Sequence, residues 1–342
     1  MNTNNKTHAI PAHAQLIQMA TAYWVSRGVY AAAKLGLADH LAAGPKSAAE
    51  LSGPTNADAR TLHRLMRLLG GLGILTEDTH HRFALTPLGA ALKTGAAGSA
   101  RASILCLAGD WWWRAWEQVL YCIETGDTGM SKAFGMNIFE YLGKHPQEAS
   151  YFNEAMIGFH GAEPPAVAAA FDFSTFKTVV DVGGGTGNLL AAILERYAGP
   201  RGILADLPHV IREAPALFEP RGLAKRVSTE AIDFFKAVPA GADAYLLSHV
   251  IHDWDEDECL TILRNCRKAM KPTSRLLIVE MVLPAGDTPH PGKVVDLTML
   301  VIPGGEERTE EEYRELLSKA DLRLTRVVPT QSAVSIVEAV RA

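Results

Sequence analysis

The spacing of apolar residues changes its period about halfway along the chain. Between residues 12 and 43, apolar side chains such as Leu16 and Met19 recur at helical spacing. This stripe is long for a single helix, and we expect it to be broken or adjusted at Gly28 and Gly36. The N-terminal part of the chain is therefore predicted to be helical.

A helix pair followed by a short hairpin is predicted next. Ser47 and, three residues later, Glu50 form a capping-box pattern at the start of one helix. A second helix is predicted over 56–71, and the segments 73–77 and 82–85 pair across a polar turn. This order is typical of a winged helix. Beyond it, the chain is again mostly helical up to about residue 170.

The second half of the chain alternates strands with helices. Residues 178–182 form a continuous β-branched run, which is typical of a strand buried on both faces. Further strand candidates, separated by helical stretches, lie at 202–205, 244–247 and 276–281. This alternation predicts a parallel α/β sheet. The segments 322–328 and 333–340 are predicted to form an antiparallel hairpin at the sheet edge.

Chain length indicates how many folding units to expect, and net charge indicates which partners are disfavoured. With 342 residues, of which 48% are hydrophobic, the chain exceeds the roughly 250–300 residues that one core supports, so two folding units are expected. The net charge of −5 argues against a nucleic-acid binder, which usually carries a strongly basic domain.

Cysteine usage and the apolar runs indicate the compartment. The four cysteines contain no C-x-x-C pair, so we expect free thiols in a reducing cytosol. No signal-peptide pattern follows the N-terminus, and no apolar run reaches about 18 residues. A cytoplasmic protein without a membrane partner is expected.

A glycine-rich turn follows the first strand of the sheet. Its spacing from Asp181 is D-x-G-x-G-x-G, and a dinucleotide loop would require glycine where Asn188 stands. The spacing resembles the class I methyltransferase signature that binds S-adenosyl-L-methionine. Asp181, Gly183, Gly184 and Gly185 are therefore candidate cofactor-binding residues.

Two acidic residues lie where they can extend this cofactor site. Asp206, followed by Leu207, ends the second strand, where a carboxylate can accept hydrogen bonds from both ribose hydroxyls. Asp233 precedes Phe234, so the acid can accept from an adenine amino group while the ring packs on the base. Alternatively, either carboxylate caps a helix, which is less favoured for Asp206 because Leu-Pro follows it.

Four separated motifs, in this order, carry a family resemblance. After the glycine turn come 206–211 (DLPHVI), 252–254 (HDW) and 304–309 (GGEERT). Together they resemble the plant caffeic-acid-type O-methyltransferases and their bacterial relatives, which tailor antibiotics and pigments. The resemblance runs from about residue 15 to the end.

This resemblance implies a two-domain enzyme with metal-independent catalysis. Residues 1–165 would form a helical, winged-helix-like domain that makes an intertwined homodimer and lines the pocket of an aromatic substrate. Residues 166–342 would form a Rossmann-like class I methyltransferase domain, with a mostly parallel seven-stranded sheet and an antiparallel C-terminal hairpin. That domain would bind S-adenosyl-L-methionine and release S-adenosyl-L-homocysteine.

The same resemblance assigns the catalytic residues. Methyl transfer is an in-line displacement, and a phenol with a pKa of about 10 needs a base near neutrality. His252 would be that base, with the carboxylates of Glu280 and Glu307 flanking its imidazole. Which of the two orients the ring stays open. Asp253 would lie near the methionine end of the cofactor.

Three further cofactor contacts are implied. Many relatives carry Lys or Arg where this chain has Ser248, so a hydroxyl would replace a charged contact. Phe152 and Met156 belong to a helix that covers the cofactor in the family. Core packing is an almost equal alternative for them, since methionine is a common gap-filler.

The candidate substrate wall consists of Trp113, His249 and Met299. For the tryptophans near position 113, interface packing is at least as strong an alternative. His249 and His252 are three apart, as metal ligands can be, but the sequence offers no clearly placed third ligand, so no metal is predicted.

Other functions remain open at this point. N-methylation, hydroxylation or decarboxylation on the same scaffold would keep the cofactor and change the chemistry. A winged-helix DNA-binding regulator is disfavoured, because 47–90 hold basic side chains without a concentrated stripe. The acceptor molecule is not identified by the sequence.

Overall fold

The structure is a computed structural model that describes residues 10–96 and 98–342. The N-terminal half is made of helices and one small hairpin. In chain order its elements are α1 (Ala12–Thr21), α2 (Tyr23–Lys34), α3 (Leu37–His40), α4 (Ala48–Thr55), α5 (Ala59–Gly71), β1 (Leu75–Glu77), β2 (Phe83–Leu85), α6 (Pro87–Ala90), α7 (Arg101–Leu107), α8 (Asp110–Trp116), α9 (Val119–Thr125), α10 (Gly129–Phe134), α11 (Ile138–Lys144), α12 (Pro146–His160) and α13 (Glu163–Ala170).

The C-terminal half alternates strands and helices, as predicted. Its elements are β3 (Thr178–Val182), α14 (Asn188–Arg196), β4 (Arg201–Asp206), α15 (Ala214–Phe218), β5 (Val227–Ala231), β6 (Ala244–Ser248), α16 (Glu256–Ala269), β7 (Arg275–Glu280), β8 (Val282–Leu283), α17 (Gly292–Val301), β9 (Arg308–Thr309), α18 (Glu310–Lys319), β10 (Leu322–Pro329) and β11 (Ser335–Arg341).

The described chain divides into two compact units. One contains the residues up to Trp113 together with 145–159, and the other contains 114–144 and everything from His160 onward. This division differs from the single boundary predicted at residue 165. It does so because α9 and α10 pack against α17 and thus belong to the C-terminal unit.

In the first unit, the predicted capping box, hairpin and helix breaks are present, except for the break predicted at Gly28. The Ser47–Glu50 capping box is present at α4, and β1 pairs antiparallel with β2. The long apolar stripe breaks after Thr21 and at Gly36, which has φ +62°. It does not break at Gly28, which lies inside α2. A Cβ there would lie 2.6 Å from Leu68 Cδ2, so this glycine permits the close approach of α5.

Within the described residues, seven strands form the main sheet of the second unit. Their order is β10-β11-β7-β6-β3-β4-β5. The strands from β7 to β5 are parallel, whereas β11 runs antiparallel to both β7 and β10. The predicted mostly parallel sheet with a C-terminal antiparallel hairpin is therefore confirmed. Edge strand β5 is mostly exposed and contains no apolar run.

This topology brings the predicted motifs to one edge of the sheet. The chain order reverses at β3, whose neighbours are β4 and β6, and ligands of open α/β sheets bind at the carboxyl ends beside such a switch point. The glycine turn, Asp206, Ser248 and Glu280 all lie at the carboxyl ends of these parallel strands.

Two expectations from composition can be compared with the structure. All four cysteines are free, as predicted, and all four are buried: Cys106, Cys122, Cys259 and Cys266. Over residues 10–96 and 98–342, no helix combines the length and apolarity that crossing a bilayer requires.

Candidate active site

The turn after β3 requires glycine for two different reasons. Gly183, Gly185 and Gly187 have φ values of +68°, +58° and +90°, a region that side chains with a Cβ rarely adopt. Gly184 is constrained by space instead, because a Cβ there would lie 2.5 Å from the carboxyl carbon of Asp181. The turn therefore keeps its backbone open to a ligand.

Asp181 lies beneath this turn and not on its surface. The residue is 1% exposed, and neither carboxyl oxygen has a hydrogen-bond partner among the described residues. Burial raises the pKa of Asp181 to about 7, and the nearby charge of Asp206 adds to the effect. The structure thus gives Asp181 a supporting position below the predicted cofactor loop.

Asp206 joins the two loops that follow β3 and β4. Its Oδ2 accepts a hydrogen bond of 2.8 Å from the Gly185 N–H, and its Oδ1 accepts one of 2.6 Å from the Leu207 N–H. The Leu207 side chain is 44% exposed. The half-buried carboxylate therefore faces the glycine turn, and its role in binding ribose stays a prediction.

The structure ties Asp233 to its own turn. Its carboxylate accepts from the Phe235 N–H at 3.0 Å and pairs with Lys236 at 2.8 Å. The next element along the chain is the strand β6, so Asp233 stabilises a short turn and caps no helix among the described residues. Phe234 does lie beside the glycine turn, because a Cβ on Gly183 would be 3.3 Å from its ring. Of this pair, the aromatic ring is the better placed to meet a ligand.

The imidazole of His252 is oriented by one carboxylate. His252 lies in the 3-10 turn after β6, and its Nδ1 is 2.7 Å from Glu307 Oε1. A carboxylate accepts, so Nδ1 carries a proton in both states of the ring, and in the neutral imidazole Nε2 is the acceptor. The loop holding Glu307 comes very close: a Cβ on Gly305 would lie 2.0 Å from the His252 carbonyl oxygen.

Glu280 holds the turn and not the ring. Its Oε1 accepts from the backbone N–H groups of Val250, Ile251 and His252 at 3.1, 2.7 and 3.2 Å, and its Oε2 accepts from the Tyr313 hydroxyl. Among the described residues, Glu280 makes no hydrogen bond to the imidazole. The predicted pair of flanking carboxylates is corrected accordingly: Glu307 orients the ring and Glu280 positions the backbone.

Nearby negative charge makes His252 a strong proton acceptor. Burial lowers the pKa of His252, but the charge of Asp253 and the hydrogen bond to Glu307 outweigh burial and raise it to about 10. Asp253 Oδ1 lies 3.7 Å from Nε2, and burial raises the pKa of Asp253 to about 6. This basicity matches that of a phenol, whose pKa is about 10.

A second cluster, which the sequence did not reveal, surrounds His249. Glu163 Oε2 lies 2.7 Å from His249 Nε2 and 3.0 Å from His160 Nδ1. The three side chains place atoms that can bind a metal ion within 4.8 Å of one another. The additional ligands that the sequence did not reveal beside His249 are therefore close to it in the folded chain. In the sequence, the cluster is visible only as the His-x-x-Glu spacing of His160 and Glu163. No local pattern connects that spacing with His249, which lies 86 residues from Glu163.

The other candidates are distributed over both units. Ser248 and Met299 are half-buried in the second unit, at the end of β6 and on α17. In the first unit, Trp113 packs against Tyr23, with ring centroids 5.7 Å apart, and against Arg27, which favours the packing alternative.

Two more predicted cofactor contacts belong to the first unit. Phe152 and Met156 lie on α12, in the part of that helix grouped with residues up to Trp113. Both are half-buried there. Their predicted role at the cofactor stays a prediction.

Comparison with known proteins identifies relatives over almost the whole chain. Residues 116–323 match the O-methyltransferase domain family, and 17–95 match the O-methyltransferase dimerisation domain. A phenazine O-methyltransferase of Lysobacter antibioticus is 45% identical, over 99% of both chains. A phenazine-1-carboxylate N-methyltransferase of Pseudomonas aeruginosa is 33% identical, over 100% of both.

A solved structure shows a related fold with ligands. It is an O-methyltransferase from neocarzinostatin biosynthesis in complex with S-adenosylmethionine and 2-hydroxy-5-methyl naphthoic acid. It superimposes with a TM-score of 0.82 at 34% identity, covering 93% of this chain and 96% of that one. The resemblance inferred from the four motifs is therefore confirmed.

Proposed function

This chain belongs to the O-methyltransferase family with a dimerisation domain, whose relatives act in bacterial natural-product pathways, and we propose that it methylates an aromatic hydroxyl deprotonated by His252. The observation that carries the proposal is the Glu307–His252 hydrogen bond, which fixes a proton on Nδ1 and makes Nε2 the acceptor of the neutral imidazole. A base held in this way typically contributes about 10²–10⁴ in rate.

Each residue around the base has a separate task in this mechanism. Bound S-adenosyl-L-methionine supplies an already activated methyl group. His252 Nε2 takes the hydroxyl proton, and Glu307 keeps the other proton on Nδ1. Asp253, 3.7 Å from Nε2, stabilises the imidazolium that forms. Glu280 fixes the turn through three backbone N–H groups, so the base does not drift from the acceptor.

The residues around the glycine turn fit the cofactor. The backbone of Gly183–Gly185 is free of side chains, Asp206 offers a half-buried carboxylate, and the Phe234 ring stands beside Gly183. These groups would hold the methionine, ribose and adenine parts respectively. Within the second unit, Leu207, Ser248 and Asp253 complete the proposed cofactor site, and His249 and Met299 belong to the proposed substrate wall.

Replacing Asp206 by alanine is expected to weaken S-adenosyl-L-methionine binding. The change removes a charged acceptor and frees the Gly185 N–H, so a loss of about 1.5–3 kcal/mol is expected in calorimetric titration. The exposed Asp287 provides the matched control, Asp287→Ala, which should bind as the wild type does. Equal affinity in Asp206→Ala would remove Asp206 from the cofactor site.

The rate of methyl transfer is expected to rise with pH. The neutral imidazole of His252 is the active form, and its pKa is raised to about 10, so kcat/KM should rise about tenfold per pH unit below that value. Glu307→Gln removes the negative charge at Nδ1, which lowers the pKa, so the rising limb should move to lower pH.

The neighbouring Glu306 provides a control for this pH profile. Glu306 is exposed and pairs with Arg308 at 2.8 Å, so Glu306→Gln makes the same charge change in the same loop without touching the ring. Its profile should match that of the wild type. A Glu307→Gln profile with an unshifted limb would contradict the orienting role of Glu307.

N-methylation is the second candidate, because the relatives of this chain include two N-methyltransferases, one acting on an aminoriboflavin and one on a phenazine. A histidine base can remove a proton from an N–H group as well as from a hydroxyl. The presence of His252 therefore does not decide between O-methylation and N-methylation. Incubation with labelled S-adenosyl-L-methionine and matched hydroxy and amino aromatics separates them. Methyl ethers are expected, and methylamines alone would contradict O-methylation.

A homodimer through the first unit is also proposed. The match to the dimerisation domain supports it. Helices α1 and α2 carry apolar side chains that are largely exposed in the single chain, including Leu16 at 67%, Met19 at 73% and Trp24 at 62%. Several large apolar side chains exposed on two successive helices are typical of a protein interface.

A further inference from the structure

The carboxylate that orients His252 is held at only one of its two oxygens within the described chain. Glu307 Oε1 is hydrogen-bonded to His252 Nδ1 at 2.7 Å, whereas Oε2 is buried and has no hydrogen-bond partner among the described residues. No second donor there fixes the direction of the carboxylate. Its position against the ring therefore depends on where the backbone of Glu307 lies.

The backbone around Glu307 is held from three directions. On its C-terminal side, Arg308 and Thr309 form β9, which pairs with β8. On its N-terminal side, Gly305 lies against the turn of the base, where a Cβ would be 2.0 Å from the His252 carbonyl oxygen. At Glu307 itself, the backbone N–H donates to Asp296 Oδ1 at 2.9 Å. Of these contacts, the one with Asp296 is made by a side chain and can be removed without changing the loop sequence.

Asp296 is a half-buried residue of α17 that makes this hydrogen bond without touching the ring of the base. Burial raises the pKa of Asp296, while the Glu307 N–H favours its ionised form and lowers the pKa. A hydrogen bond to an ionised acceptor is roughly twice as strong as one between neutral groups. The charged groups that raise the pKa of the His252 ring are Asp253, Glu307 and Glu280. Asp296 therefore acts on the ring through Glu307.

The segment from Asp296 to Glu307 closes on itself. Gly304, with φ +101°, donates its N–H to the Met299 carbonyl at 2.8 Å and turns the chain back toward α17. Asp296 and Met299 are three residues apart, so they share one face of that helix. The helix that carries the proposed substrate-wall residue Met299 thus also carries the acceptor that holds Glu307.

We propose that Asp296 is a positioning residue for methyl transfer: by accepting from the Glu307 N–H, it keeps the Glu307 carboxylate against His252 Nδ1 and fixes the base to the helix of the substrate wall. This inference rests on the proposed function, in which His252 is the base. Because a misplacement of 1 Å can cost about 10²-fold in rate, Asp296→Ala should lower kcat by about 10–10²-fold with 2-naphthol as acceptor. The Kd of S-adenosyl-L-methionine should stay as in the wild type.

A histidine titration followed by NMR tests the inference without any substrate. The Cε1–H signal of His252 is assigned by its loss in His252→Ala, and its midpoint is measured in the chain labelled with ¹³C-histidine. In the wild type the pKa of His252 is raised to about 10. Asp296→Ala and the bulkier Asp296→Leu both remove the acceptor. Each should lower the midpoint by about one pH unit, because the negative charge of Glu307 moves away from Nδ1.

Two control variants separate the hydrogen bond from charge and from stability. Asp296→Asn removes the charge but keeps an oxygen acceptor, so its midpoint should match that of the wild type. Asp243 also accepts from backbone N–H groups, those of Lys177 and Thr178 at 2.8 and 3.0 Å, but it precedes β6 at the opposite edge of the sheet. Asp243→Ala should lower the melting temperature and leave the midpoint of His252 unchanged.

A double variant shows whether Asp296 acts through Glu307. In the Glu307→Gln background the carboxylate that Asp296 positions is already gone. Adding Asp296→Ala should then change the midpoint and kcat very little, since residues in one hydrogen-bonded chain are not additive. A role of Asp296 in stability alone would give the same additional loss of kcat in both backgrounds.

The outcomes distinguish this inference from the proposed function. An unchanged midpoint in Asp296→Ala and Asp296→Leu would overturn the role of Asp296. So would an equal shift in Asp296→Asn, or a full additional shift in the Glu307→Gln background. If the midpoints move as expected but the wild type methylates no hydroxylated aromatic, the proposed function fails while the positioning of Glu307 by Asp296 is supported.

Discussion

Methyl transfer by the His252→Ala variant is expected to be slower by about 10²–10⁴-fold in kcat, the usual contribution of a positioned base. The imidazole provides the acceptor nitrogen, and alanine leaves the hydroxyl proton with no group to take it. Cofactor binding should persist, because the glycine turn and Asp206 belong to other strands. Single-turnover assays with labelled S-adenosyl-L-methionine and calorimetry measure the two effects separately.

The His252→Ala variant can lose activity through destabilisation as well as through the missing base. Removing the ring leaves the Glu307 carboxylate buried without its partner, which destabilises the site. The double variant His252→Ala/Glu307→Gln removes that unpaired charge and should recover much of the thermal stability while staying slow. Turnover at the wild-type rate in His252→Ala would exclude His252 as the base.

The Gly305→Ala variant is expected to lose activity almost as strongly, although Gly305 touches no reacting atom. Its Cβ would lie 2.0 Å from the His252 carbonyl oxygen and 2.6 Å from the Trp254 nitrogen, and backbone atoms cannot rotate away. The loop must shift and carry Glu307 with it. A misplacement of 1 Å can cost about 10²-fold in rate, and the overpacking costs about 1–3 kcal/mol of stability.

An exposed helical glycine provides the matched control for that variant. Gly143 lies in α11, and no atom lies within 4 Å of the position its Cβ would take. Gly143→Ala should therefore keep full activity and gain up to about 1 kcal/mol of stability from helix propensity. Wild-type kcat and melting temperature in Gly305→Ala would show that the loop tolerates a side chain there.

Features that depend on neighbours in sequence were readable from the chain alone. The Ser47–Glu50 capping box, the hairpin of β1 and β2, and the glycine spacing after β3 follow from backbone geometry that a few residues decide. Alternation of strands and helices then predicts the parallel sheet, and the sheet places the ends of its strands at one edge. The order of the motifs was enough to identify the family.

Only the tertiary structure decided which groups meet, because such contacts join residues far apart in the chain. Glu307 and Glu280 are both acids that the sequence places near His252. In the structure, Glu307 binds the His252 imidazole, whereas Glu280 binds the backbone of the turn that carries it. The pairing of Glu163 with His249 spans 86 residues. Folding also placed Asp181 below the loop that it precedes. The sequence by itself determined the fold and the family, whereas packing determined the task of each carboxylate.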